Sequence, residues 1–520
     1  MVDHATSNAT VTLSVEAAKS AYARAKAHDT TSMLSVNAPA AVGSQRPPLE
    51  IVAVVDVSGS MSGENLKLLK QALSLLVSRA GLDTRDKFGI VAFSDTAQDA
   101  LPLQFMDATG LAKAKQVVGS LVASGGTNLS SGVLHGIKML VDAAASHADQ
   151  PAHATRSVLL FTDGQANRGI VKSEELIKAV TGALLGAPTQ IFTFGFGSSH
   201  NEDLLLSLSR TTIGQYYFIT AAEAIPTAFA DCLGGLVSVV AQGATLEIKA
   251  AGGRRATVSV GKLLGDAYTT TRSVDGVLTV HIGDLYSEDA KDLLVEIRLE
   301  PVPSSQPTSG STETAMLTSA VAAASMEGWT LIDKLDNTAV AAPLSEETGA
   351  SEAAAAVFPA VEAKLRYFNV ASCRFEEVEA LLNVARPEDA SDATTNLVLD
   401  EHLNRITVAE ALKRAAHIAD SGDVEAGRAI LTGAINSVIC SPSSCSRVSR
   451  ALTGDIKRLA MDYDEPVVYR STGSKRSKTC AMSYGYQRST HDQGHADSSY
   501  TAGSASKAAM QRAWTLPEPA

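Results

Sequence analysis

Three short loops carry residue types suited to a hard divalent cation: Asp56-Val57-Ser58-Gly59-Ser60, Gly125-Gly126-Thr127-Asn128 and Thr162-Asp163-Gly164-Gln165. Mg²⁺ takes about six oxygens in a near-octahedral array and keeps some of its water. Ser58 and Ser60, on one loop, can turn both hydroxyls inward, and Thr127 adds a third. Asp56 and Asp163 supply negative charge. If both carboxylates hold the ion through water, its directly bound ligands are neutral and it keeps affinity for an anion. A Glu or Asp from a partner protein then binds as a charged ligand. Gly59, Gly125, Gly126 and Gly164 are expected to let the loops approach closely and to adopt positive φ where needed. The competing reading is structural: Asp56 and Ser58 cap the next helix, and Thr127 caps a later one.

The surrounding elements separate these readings. Ile51-Val52-Ala53-Val54-Val55 is a continuous apolar run, as in a strand buried on both faces. A helix follows it, with Leu66, Leu69, Leu73, Leu76, Val77 and Ala80 on one face. Further strands are read at 88–93, 157–161, 191–195 and 216–219, with helices near 109–121, 130–145, 173–185, 201–209 and 222–240. Such alternation implies a largely parallel sheet covered on both sides, with ligands beyond the carboxyl ends of its strands. All three loops fall at that edge, which favours the metal site.

After 240 the pattern changes. Segments 244–248, 257–260, 276–282 and 293–299 alternate in period two between Gly and Asp turns, as antiparallel strands do. Val11–Val15 and Met33–Val36 also read as strands. Pro301–Thr312 reads as a flexible loop, and the Ala-rich stretch 315–325 fits helix or strand. From about 351 the chain reads as helical, with a helical hairpin from Thr407 to Val438 broken at Ser421-Gly422-Asp423. Beyond about 470 it reads as disordered, with one short helix near 504–514. The parts are therefore 1–48, strands of a discontinuous β domain; 49–240, the α/β unit; 241–345, a β-sandwich-like part; 351–465, a helical region; and 466–520, a mostly disordered tail.

Composition narrows the function classes. The chain has 520 residues, 45% hydrophobic and 19% charged, which is globular composition for about two to four domains. A net charge of −12 argues against nucleic acid as the main partner, because phosphate binding needs a basic footprint. The basic cluster Lys475-Arg476-Ser477-Lys478 reads as a solvated stretch. Cys232, Cys373, Cys440, Cys445 and Cys480 form no disulfide framework and read as free thiols in a reducing compartment. The N-terminus has no signal-peptide core and no run spans a bilayer, so a cytoplasmic address is expected.

The metal loops resemble the metal-ion-dependent adhesion site of the von Willebrand factor A (VWA) family. The resemblance covers residues 49–240. It implies a Rossmann-like α/β domain with Ser58, Ser60 and Thr127 as direct ligands of Mg²⁺ or Mn²⁺, and Asp56 and Asp163 as outer-sphere ligands. It also implies that the domain binds protein and is not itself catalytic. Gly235–Val240, Gly283-Asp284-Leu285-Tyr286 and the hairpin around Gly422-Asp423 are similar to intracellular VWA proteins of plants and protists, some of them RING-type ubiquitin ligases. In that group the VWA domain is inserted into a small β domain. Here no paired CxxC or Cys/His array stands in the sequence, so no RING is expected. The expected class is α/β, with a flanking antiparallel β domain and a C-terminal helical region.

The leading functional reading is a metal-dependent protein-binding scaffold completed by an acidic side chain of a partner. A non-catalytic adaptor in a ubiquitin-ligase or AAA-ATPase assembly is second, and a hydrolase or autoprocessing enzyme third. The third has little support. His135 reads as a helix-face residue, and Gly195-Phe196-Gly197-Ser198-Ser199-His200 lacks the Lys-Ser/Thr of a phosphate-binding P-loop.

Overall fold

The computed structural model describes residues 10–41, 46–79, 81–146, 154–219, 221–252, 257–302 and 357–488. At its centre is a six-stranded sheet in the order β5-β4-β3-β6-β7-β8. The strands are β3 (Leu49–Asp56), β4 (Lys87–Phe93), β5 (Ala97–Phe105), β6 (Thr155–Thr162), β7 (Gln190–Phe196) and β8 (Tyr216–Ile219). All pairings are parallel except the β4–β5 hairpin, an edge pair not singled out in the sequence.

Every residue of β3 is buried because both faces are covered. Ile51, Ala53 and Val55 pack with α1 (Glu64–Arg79), α2 (Ala108–Ser120) and α6 (Ile225–Leu236). Val52 and Val54 point the other way, toward α3 (Leu129–Ala145), α4 (Ser173–Leu184) and α5 (Glu202–Arg210). Glycines set how closely α3 approaches. A Cβ on Gly136 would lie 2.4 Å from Val54 Cγ2, and one on Gly132 2.5 Å from the Phe93 ring. This contact lowers α3 onto the sheet and places its first turn beside the end of β3.

The expected helix over 222–240 is shorter. α6 ends at Leu236, and β9 (Val239–Ala250) begins three residues later in a different sheet. Gly235 and Ser238 turn the chain there, since Val237 and Ser238 donate back to Leu233 and Gly235 carbonyls.

Two antiparallel sheets form the second part. One has the order β1-β2-β13-β10, the other β11-β12-β9-β14-β15. Here β1 is Thr12–Ala17, β2 His28–Asn37, β10 Val258–Leu263, β11 Thr269–Arg272, β12 Leu278–Tyr286 and β13 Ala290–Leu299. β2 pairs with β13 over ten positions, from Asn37 opposite Ala290 to His28 opposite Leu299. The segments before and after the α/β unit thus share a sheet. Leu34, Val36 and Val295 of one sheet meet Leu246, Val280 and Leu365 of the other in one core.

The helical expectation from 351 requires correction. β14 (Val357–Asn369) and β15 (Arg374–Ala385) form a hairpin, and β14 pairs with β9. Val361, Ala363, Leu365 and Tyr367 are buried at period two. Ala, Glu, Lys and Leu are good helix formers, so local propensity opposes this strand and the β9 ladder overrides it.

The helical region begins at α7 (Leu397–Asp420), well after 351 but ten residues before the expected start of the hairpin, followed by α8 (Val424–Ile439) and α9 (Arg447–Asp462). Gly422 takes φ +112° at the break, and Asp423 caps α8 by accepting from Ala426 N–H.

The expected tail disorder also requires correction over 466–488. α10 (Ser474–Tyr486) packs on α7 with Cys480, Ala481 and Tyr484 buried. Lys475 and Lys478 are buried rather than solvated, and both pair with Glu202 of α5 at 3.2 Å. Their partner lies some 270 positions away in sequence, so the cluster's own composition does not reveal it. The stretches 315–325 and 504–514, and the loop beyond 302, lie outside the described residues.

Candidate metal centre

The strand ends bring the three loops together. Asp56 is the last residue of β3, Ser58 and Ser60 lie in and before the turn Gly59–Met61, Thr127 precedes α3, and Asp163 follows β6. Backbone bonds tie the loops to one another. Gly59 N–H donates to the Gly125 carbonyl at 3.0 Å, Ser124 N–H to Val57 at 2.7 Å, and Asn167 N–H to Thr127 at 3.1 Å.

Both oxygens of Asp56 are held. Oδ1 accepts from Ser58 N–H at 2.8 Å and Oδ2 from the Thr162 hydroxyl at 2.6 Å. Asp163 accepts from the Ser60 hydroxyl at 2.8 Å and from Asn65 Nδ2 at 2.5 Å. The Ser58 and Ser60 hydroxyls are 3.1 Å apart. A Cβ built on Gly164 would lie 3.6 Å from both Ser60 Oγ and Thr127 Oγ1, so the third loop borders both hydroxyls. All five sequence-expected residues are therefore at one place.

Asp56 is fully buried, Asp163 is 5% exposed, and Ser60 is open to solvent. Among the described residues neither carboxylate has a Lys or Arg within ion-pair distance. Burial pushes the Asp56 pKa up and the charge of Asp163 adds to this, while hydrogen bonds from Ser58 and Thr162 oppose it. Two buried acids without a counter-charge are costly, and a bound cation removes that cost. The donors are all oxygen, which suits Mg²⁺ or Mn²⁺ over softer metals.

Four neighbours were given no role by the sequence. Thr162 and Asn65 orient the two carboxylates. Asn167 Oδ1 accepts from Thr127 N–H at 2.9 Å, and Asp95 Oδ1 accepts from Gly126 N–H at 2.9 Å. Thr162, next to Asp163, carried a local signal; Asn65, Asn167 and Asp95 become neighbours only through the fold. Of the four loop glycines only Gly125 takes positive φ, +85°. Gly126 serves by lacking a Cβ, which would sit 2.7 Å from Asp95 and 2.8 Å from Arg168. Capping is present too, but by Asn128, which accepts from Ser131 N–H, and not by Thr127.

The other candidates are structural in their contacts. His135 pairs with Asp99 at 2.6 Å on the surface. His200 closes the turn between β7 and α5, its Nε2 2.6 Å from the Tyr216 hydroxyl, and Asn201 caps α5. A Cβ on Gly195 would lie 2.4 Å from the His200 ring. Burial, helped by the charge of Lys475, holds the His200 pKa down at about 4. The unfolded chain takes up this proton near pH ~6.5. Folded His200 resists it, so its contribution is present above that pH and is lost as pH falls through the window to 4. The full loss is about 3 kcal/mol. The thermal midpoint should fall across this window, less steeply in His200→Gln. The slope will not vanish, because burial beside Arg405 also holds His402 at about 4. An unchanged slope in the variant would rule out His200 as a source.

No helix among the described residues is long and apolar enough to cross a membrane. Residues 50–231 match the family described as von Willebrand factor type A domain. The chain is similar to E3 ubiquitin-protein ligase WAV3 of Arabidopsis thaliana, 31% identical over 258 residues, or 49% of this chain and 32% of that protein. It is also similar to inter-alpha-trypsin inhibitor heavy chain H3 of Mesocricetus auratus, 30% identical over 167 residues, or 31% of this chain and 18% of that protein. The matches thus span a third or less of these relatives. A solved structure, von Willebrand factor type A from Catenulispora acidiphila, is 15% identical with a TM-score of 0.61, covering 88% of this chain and 97% of that one. That likeness is one of fold, and it extends over the sheets and helices beyond the central unit. Residues 50–231 are a von Willebrand factor type A domain, carried in a chain with flanking antiparallel sheets and C-terminal helices.

Proposed function

We propose that this chain is a non-catalytic protein-binding scaffold. Ser58, Ser60 and Thr127 hold Mg²⁺ or Mn²⁺ directly, Asp56 and Asp163 hold it through water, and a partner's Asp or Glu completes the site. The observation that carries this reading is the meeting of two buried carboxylates and three hydroxyls, with no Lys or Arg within ion-pair distance of either carboxylate among the described residues. The metal supplies the positive charge to which an acidic partner binds. The chain's part is to hold the hydroxyls in place and leave Ser60 open to solvent. The hydroxyls of Ser58 and Ser60 contact each other and Asp163, not a histidine, which fits ligands better than nucleophiles.

The similarity to WAV3 runs over 258 residues, more than the VWA domain alone. This favours a second, compatible reading, an adaptor in a ubiquitin-ligase assembly whose catalyst is another chain. The five free cysteines fit a reducing compartment such as the cytoplasm.

Affinity capture with the tagged full chain, in Mg²⁺ and in EDTA, tests the scaffold. Partners should be present with Mg²⁺ and absent both with EDTA and with Ser58→Ala. Identical partners under all three conditions would refute metal-dependent capture. Ubiquitin transfer by the purified chain, given activating and conjugating enzymes, would refute the non-catalytic assignment.

A further inference from the structure

Away from the metal loops, a cavity of about 330 Å³ opens where α5, α7 and α10 meet the loop between β10 and β11. Three separate parts of the fold line it, and ligand sites favour such junctions. Leu206, Ala267, Ala481 and Met482 give it an apolar lining.

Its two ends differ in hydrogen bonding. At one end Lys478 is committed, with Glu202 at 3.2 Å, Asp203 at 2.6 Å and Asp420 at 2.8 Å taking its three N–H groups. At the other end Arg210 and Lys413 share a single carboxylate, Asp266. Arg210 Nη2 donates to Asp266 Oδ2 at 2.8 Å and to its carbonyl at 2.9 Å. Lys413 pairs with Asp266 Oδ1. Among the described residues no carboxylate besides Asp266 pairs with Arg210, and two of the three Lys413 hydrogens make no hydrogen bond. The buried Tyr486 hydroxyl lies beside Arg210, also without a well-formed hydrogen bond. Each of the carboxylates there, Asp203, Asp266 and Asp420, already pairs with a lysine, while Lys413 keeps donors to spare. A ligand that satisfies the spare donors brings acceptor oxygens, and an anion competes best with Asp266 for its two cations.

We propose that this cavity binds a small organic anion, a carboxylate or a phosphate monoester. Its oxygens take Arg210, Lys413 and Tyr486, and its apolar part lies against Leu206 and Met482. Asp266, 58% exposed on its loop, is an internal competitor for the same two cations.

Titration calorimetry of the full chain tests this with phenyl phosphate and benzoate, and with phenol as the uncharged control. Saturable binding of at least one anion and none of phenol is expected, and the two anions distinguish phosphate from carboxylate recognition. Lys413→Gln should weaken binding about tenfold. Asp266→Asn should tighten it, a gain that damaged folding cannot mimic. The proposal is overturned if neither anion saturates at millimolar concentration, if phenol binds equally well, or if Asp266→Asn leaves affinity unchanged or lowers it.

Discussion

Mn²⁺ or Mg²⁺ should raise the thermal midpoint of the purified chain, and Asp56→Asn combined with Ser58→Ala should abolish the rise. A ligand present at about a hundred times its Kd stabilises the native state by about 2.7 kcal/mol. For a unit of this size that is a shift of roughly 5–10 °C. The metal-free midpoint separates the two readings of the loop. Asp56 is buried without a cationic partner among the described residues. Neutralising it in a metal site should leave the metal-free protein as stable as before or more so. If Asp56 served as a structural cap, the same change would cost about 1 kcal/mol with no metal involved. A metal-induced shift of equal size in wild type and double variant would sink the site assignment.

Arg488→Ala should be strongly destabilising. Arg488 is 3% exposed and lies in the segment that follows α10. Its Nη1 donates to the Ile213 carbonyl at 3.1 Å and its Nη2 to the Asp284 carbonyl at 2.9 Å. Its guanidinium lies 4.2 Å from the Tyr286 ring centre. The same Tyr286 ring fills the space left by Gly235 of α6, where a Cβ would stand 2.8 Å away. Arg488 thus joins the C-terminal helix, the β sandwich and the VWA domain. It also supports Ile213, a β-branched residue held at φ +58°. Breaking such a buried network costs about 3–5 kcal/mol. Lysine should rescue little, since it cannot donate in two directions from one plane and stack at once. Thermal melting and limited proteolysis read the effect. A variant that melts and resists protease like wild type would remove this role from Arg488.

The meeting of the three loops was legible because each lies within a few residues of the strand end that carries it. A buried parallel strand shows as an unbroken apolar run, as in Ile51–Val55, and the loop after it must lie at the ligand-binding edge. The same logic worked for Gly422-Asp423, where a helix end and the next cap are adjacent in sequence. It failed wherever the deciding contact was remote. Val357–Ala385 has helix-forming composition, and β9, more than a hundred positions earlier, makes it a strand. Lys475 and Lys478 look solvated until Glu202 is placed against them.

From sequence alone come the parallel sheet, the three loops at one edge of it and the five oxygen-bearing residues, because strand burial and loop position are local properties of the chain. Tertiary structure decided what holds the two carboxylates in place, which carboxylates the α10 lysines meet, and how strands before and after the VWA domain share one sheet. Each of these depends on groups far apart in sequence, whose pairing is set by packing and charge in the folded molecule and leaves no periodic trace in the chain.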